Sequence, residues 1–187
     1  MRQLQSYGWA LGILAVGFLA RLAPHPANVT PVVALAIFGG SMLPAGWAVA
    51  LPLATLILSD VAIGLHQVIA FTWLSFAAIG LLGRWVAYRP STGRILSASL
   101  VASVGFFLVT NFGVWWLGDG GRMYPRTLEG LWTCYVAALP FFRNSLIGDL
   151  AYTAGFFGLY RMASHEPRRL AHGMARLAPV NSSSSCV

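Results

Sequence analysis

From Ile95 to Gly118 the chain runs for 24 residues without a charged side chain. As a helix that run is about 36 Å long at 1.5 Å per residue, longer than the roughly 30 Å hydrocarbon core of a bilayer is thick. No other feature limits the fold as strongly, because such a segment needs an apolar surround along its whole length. The composition agrees. Charged residues are 9% of 187, hydrophobic residues 57%, and mean hydropathy is +0.70, whereas soluble domains carry about 25% charged residues. A bilayer is the expected solvent.

Five further stretches approach spanning length: Gly8–Ala20, Val32–Leu43, Trp47–Leu65, Val68–Gly83 and Ser145–Tyr160. Pro31 and Pro44 bound the second. A shorter run, Leu131–Phe142, is about a dozen residues, the length of a re-entrant or surface helix rather than a span. The expected fold is therefore an all-α integral membrane bundle of six transmembrane helices, with this short extra helix before the last span. Residues 1–164 form the membrane domain, and 165–187, ending "NSSSSCV", read as a polar, disordered tail. The N-terminal run also has the outline of a signal peptide, but Arg21 falls where a small cleavage-site residue belongs.

Arginine placement orients the bundle. Arg84, Arg89 and Arg94 share one short connector, and Arg161, Arg168, Arg169 and Arg176 follow the last span. Basic connectors stay in the cytoplasm, so six spans put both termini inside a bacterial inner membrane. The net charge of +7 is all arginine and is scattered between apolar runs, which argues against a nucleic-acid face. Cys134 and Cys186 give no disulfide framework, and no His/Cys spacing suits a metal. No cofactor is expected.

Polar groups inside a membrane are costly and usually face a bundle interior or cavity. Here they gather toward the outer end. Asp60 is near the end of the third span, Asn111 about two turns from the end of the fifth, and Asn144 and Asp149 begin the sixth. His66 lies in a tight outer connection, and His25 and Asn28 in the first outer loop. Trp115 and Trp116 mark the interface. Beyond them a glycine-rich loop carries Arg122, Tyr124 and Arg126 back over Asn111. His25, Asn28, Asp60, His66, Asn111, Trp115, Tyr124, Asn144 and Asp149 thus form the candidate ligand-binding set. Each also has a structural reading. Asp60 would pair with Arg143 or Arg21, Asp149 with an outer arginine, Asn111 would join helices, and Cys134 would fill a core. Small residues at Gly8/Gly12, Ala50/Ala54 and through "SASLVAS" offer close helix contacts.

The motifs "RLAPHPANVTPVVALAIFGG", "LSDVAIGLHQ", "FFLVTNFGVWW", "MYPRTLEGL" and "CYVAALPFFRNSLIGDL" together resemble a family of small, largely uncharacterised bacterial membrane proteins described as transport proteins. That family is similar to the S components, the substrate-binding membrane subunits of energy-coupling-factor vitamin transporters. The resemblance implies capture of a vitamin-like micronutrient from the outer side, with cobalamin one candidate. It also implies an energising membrane subunit with ATPases, since the chain has no phosphate-binding loop of its own. Many S components dock through an Ala-x-x-x-Ala face on the first helix. Gly8 and Gly12 stand there instead, which leaves solitary transport open. Two other classes are consistent with the residues: a membrane enzyme using Asp60, His66 or Cys134, and a non-catalytic assembly subunit.

Overall fold

The computed structural model describes residues 29–44, 47–118 and 122–177, with six helical positions between 8 and 19. Its complete helices are α1 (Val32–Met42), α2 (Ala50–Ile63), α3 (Ile69–Tyr88), α4 (Thr92–Leu117) and α5 (Leu128–Leu177). Every regular element among the described residues is helical, as the apolar runs lead one to expect.

α1 is the centre. Val32 through Gly40 are all buried, and a helix that is apolar on every side belongs inside a protein. It packs against each of the other four helices. Phe38 sets its ring edge-on to Phe157 at 5.2 Å between centroids, with Phe156 and Tyr160 beside it, all three on α5. Pro31 stands at the N-terminal cap and Pro44 just past the C-terminal one, so the two prolines bound the element as the sequence suggests.

The closest crossing joins α1 to α3 through glycines. A Cβ on Gly83 would lie 2.5 Å from the Ile37 carbonyl oxygen and 2.9 Å from Gly40 Cα, and one on Gly40 would collide with the Gly80 carbonyl. Helices in lipid gain from such backbone approach, because dispersion and packing replace the hydrophobic drive. Of the small-residue faces read from sequence, Ala98, Ser99, Ala102 and Ser103 on α4 are buried. Ala50 and Ala54 are exposed, and a Cβ on Gly8 or Gly12 would meet nothing within 4 Å among the described residues.

α3 and α4 are long and apolar enough to cross a membrane. α1 has 11 residues and α2 has 14, below the roughly 17–25 of a span. Among the described residues, helix length and composition thus support two crossing helices rather than six, and most of the Gly8–Ala20 run lies outside them. The outward faces are strongly apolar: Leu74, Leu81, Leu128, Trp132 and Met162 are among the exposed large side chains. Soluble monomers rarely expose apolar surface so continuously.

α5 corrects the expected chain path. Leu131–Phe142 and Ser145–Tyr160 belong to one unbroken helix of 50 residues, so no separate short helix precedes the last span. Arg143 and Asn144, between the two runs, are exposed helix positions. Pro140 removes only one backbone donor from the ladder. The same helix continues to Leu177, through the first part of the segment assigned to the tail. Likewise α3 runs on to Tyr88, leaving only Arg89 to Ser91 outside helix in the arginine connector.

Candidate functional site

α4 and α5 lie side by side in opposite directions, joined by a ladder of polar contacts. At its base the Arg161 guanidinium donates to Thr92 Oγ1 at 3.3 Å. Ser99 Oγ and Thr153 Oγ1, both fully buried, are 3.2 Å apart. Ser103 Oγ donates to Asp149 Oδ2 at 2.6 Å and also lies 2.9 Å from the Ser99 carbonyl. Asp149 is buried, and Ser103 rather than an outer arginine is its partner.

Above Ser103 the register changes. The next hydrogen bonds between them are Tyr135 Oη donating to the Leu108 carbonyl at 2.9 Å and Cys134 Sγ to the Asn111 carbonyl at 3.5 Å. From Ser103 to Leu108 is five positions on α4, but from Asp149 back to Tyr135 is fourteen on α5. At 1.5 Å per residue the paths differ by about 13 Å, more than a tyrosine side chain takes up. The two helices therefore separate, and Pro140, with no N–H for the Val136 carbonyl, lies in the longer path.

A half-open pocket of about 230 Å³ occupies the gap. Phe106, Phe107, Phe141 and Phe142 supply its aromatic lining, Ala138 an aliphatic patch, and Ser103, Thr110, Asn111 and Ser145 its polar groups. The Phe107 and Phe142 rings are 4.6 Å apart between centroids. Asn111 Nδ2 donates to the Phe107 carbonyl at 2.8 Å, which fixes the amide's orientation at the pocket wall.

The sequence-derived set divides. Asn111 lines the pocket, and Asp149 stands directly behind Ser103. Asp60 belongs elsewhere: it is buried on α2, where Trp73 Nε1 donates to its Oδ2 at 2.9 Å. Among the described helices α2 packs only on α1 and α3, so Asp60 does not share the α4–α5 pocket. Trp73→Phe should lower stability by about 1–2 kcal/mol, because the buried carboxylate loses a donor; detergent unfolding of that variant measures it.

Trp115 is not part of the lining. Its Nε1 donates to the Pro125 carbonyl at 3.0 Å, fastening the connection after α4, while Arg126 sits over the Trp116 ring at 5.6 Å. Trp115→Phe should keep the ring cluster but speed proteolysis around Arg122–Arg126 several-fold, as one bond of about 1 kcal/mol is lost. Tyr124 is half-buried in that connection, and Asn144 and His66 are exposed. His25 and Asn28 lie outside the described residues. The nearest described segment, at Val29, comes within 3.4 Å of where a Gly148 Cβ would sit, beside Asp149.

The phenylalanine walls and Ser103, Thr110 and Ser145 were missed from sequence. Their signal was the Phe-Phe doublets at 106–107 and 141–142, whereas a third, at 156–157, packs on Phe38.

The chain belongs to a family of unknown function, DUF6580, whose model matches residues 2–171. No curated protein and no solved structure matches it.

Proposed function

We propose that the protein is a multi-pass membrane transport protein, similar in plan to the S components, that captures a small vitamin-like nutrient from the outer side. The observation that carries this reading is the α4–α5 pocket: four phenylalanines, one aliphatic patch and four hydrogen-bonding side chains. Ligand sites are largely apolar with a few placed polar groups, typically in about 300–1,000 Å³. A pocket of about 230 Å³ suits a one- or two-ring molecule. The corrin ring of cobalamin is far larger, so cobalamin leaves the proposal.

In this reading the first apolar run and α1 to α5 make six passes. α1 is short for a span, but it is enclosed by protein on every side, and irregular backbone at membrane depth is tolerated where protein covers it. The arginine connector and Arg161 lie in the cytoplasm. The pocket then opens in the outer half. Energy comes from a separate ATPase-bearing membrane subunit, or the protein works alone.

The test is uptake. Cells producing the protein, given a mixture of one- and two-ring vitamins and their precursors, should accumulate one of them saturably, as read by mass spectrometry. Asn111→Leu should reduce that accumulation about tenfold, one lost directional hydrogen bond in an apolar site. Accumulation identical to that of cells lacking the protein, across the whole mixture, contradicts the proposal.

A further inference from the structure

The polar groups of the pocket are not neutral in their hydrogen-bonding sense. Thr110 Oγ1 donates to the Phe106 carbonyl at 2.7 Å, and Ser145 Oγ to the Phe141 carbonyl at 3.2 Å. Ser103 spends its one hydrogen on Asp149 or on the Ser99 carbonyl. One Asn111 amide hydrogen goes to the Phe107 carbonyl. Back-bonding of this kind is usual for such residues within helices. Its consequence here is that all three hydroxyls turn lone pairs, and no hydrogens, toward the space between the helices. Asn111 adds its carbonyl oxygen. The second amide hydrogen of Asn111 is the one side-chain donor left in the lining.

Two further features point the same way. Four aromatic rings line the pocket, and a cation over a ring face is attracted by its quadrupole. Behind Ser103 stands the buried Asp149 carboxyl, met by no arginine among the described residues. A wall of acceptors with one acid behind it disfavours a carboxylate or phosphate ligand and leaves its own oxygens poorly satisfied by an apolar one.

We infer that the pocket selects a small aromatic or heteroaromatic cation bearing N–H groups, such as an ammonium or amidinium on a single ring. Its N–H groups bond to the Ser103, Thr110, Asn111 and Ser145 oxygens, and the Asp149 carboxyl, reached through the Ser103 hydroxyl, is the nearest acidic group to its charge. This rests on the pocket being a ligand site, as proposed above, and specifies the chemical class that site takes.

Three probes of one shape separate the possibilities: benzamidinium, benzamide and benzoate, titrated calorimetrically into the full-length protein in lipid nanodiscs. Benzamidinium should bind at least about tenfold more tightly than benzamide, the scale of a desolvated cation–π and charge contribution, with benzoate weakest. Asp149→Asn keeps an acceptor for Ser103 and should bring benzamidinium down to the benzamide affinity. Ala138→Phe, which fills the pocket, should remove binding of all three. Benzamide or benzoate binding as tightly as benzamidinium, in a manner that Ala138→Phe removes, overturns the cation inference and leaves the pocket a ligand site. Benzamidinium binding that Ala138→Phe leaves intact overturns the inference, since the cation then sits elsewhere. No binding of any probe up to millimolar concentration overturns both.

Discussion

Gly83→Leu yields no folded protein. At this position α3 has no room for a side chain, because even a Cβ would sit 2.5 Å from the Ile37 carbonyl and 2.9 Å from Gly40 Cα. Both obstacles are backbone, so no rotamer change relieves them. The helices would have to move apart, and α1 contacts every other helix, so the separation spreads through the core. The smaller change Gly83→Ala should destabilise by about 2 kcal/mol, the range of overpacked sites. Gly105→Ala is the control: nothing lies within 4 Å of the added methyl, and replacing a mid-helix glycine should raise stability by about 0.5 kcal/mol. Thermal unfolding in detergent, with monodispersity checked by gel filtration, reads all three. A Gly83→Leu protein that unfolds at the wild-type temperature would mean that α1 and α3 do not cross at these glycines.

Ala138→Phe should have the largest effect on ligand binding while leaving the fold intact. Ala138 faces the pocket from α5 as a half-buried residue, and a phenyl ring there takes the place a ligand ring would occupy. Affinity should fall by at least about a hundredfold, equivalent to some 2.7 kcal/mol. Melting temperature should stay within a few degrees, because the ring fills space instead of displacing side chains. Ala137→Phe, one position along, is exposed and outside the lining, and should bind normally. Equal loss in both variants would indicate that α5 as a whole, not the pocket, governs binding.

The two predictions draw on features of unequal legibility in the sequence. Apolar run length gave away the helices, since a stretch such as Ile95–Gly118 permits little else. The prolines at 31 and 44 fixed the limits of α1. The continuity of α5 was hidden, because Pro140, Arg143 and Asn144 look like an interruption in one dimension. In three dimensions Arg143 and Asn144 are exposed on the helix surface. Asn111 and Asp149 stood out as polar groups in apolar surroundings and do meet one helix pair. Asp60 satisfied the same test of depth but sits on α2, and depth along a helix says nothing about which neighbour it faces. The Gly40–Gly83 contact and the aromatic lining escaped notice because glycine and phenylalanine are ordinary in apolar runs. Their roles come from which helices adjoin, and that is a property of the fold.

Cysteine accessibility at the pocket tests the central claim most directly. In a protein carrying Cys134→Ser and Cys186→Ser, a thiol placed by Ser145→Cys should react with a membrane-impermeant maleimide added outside intact cells. Adding Ala138→Phe should block that reaction, and Ala98→Cys, at a buried position on α4, should not react at all. Labelling of Ser145→Cys only in inverted vesicles, or unchanged labelling with the pocket filled, would contradict an outward-facing cavity between α4 and α5.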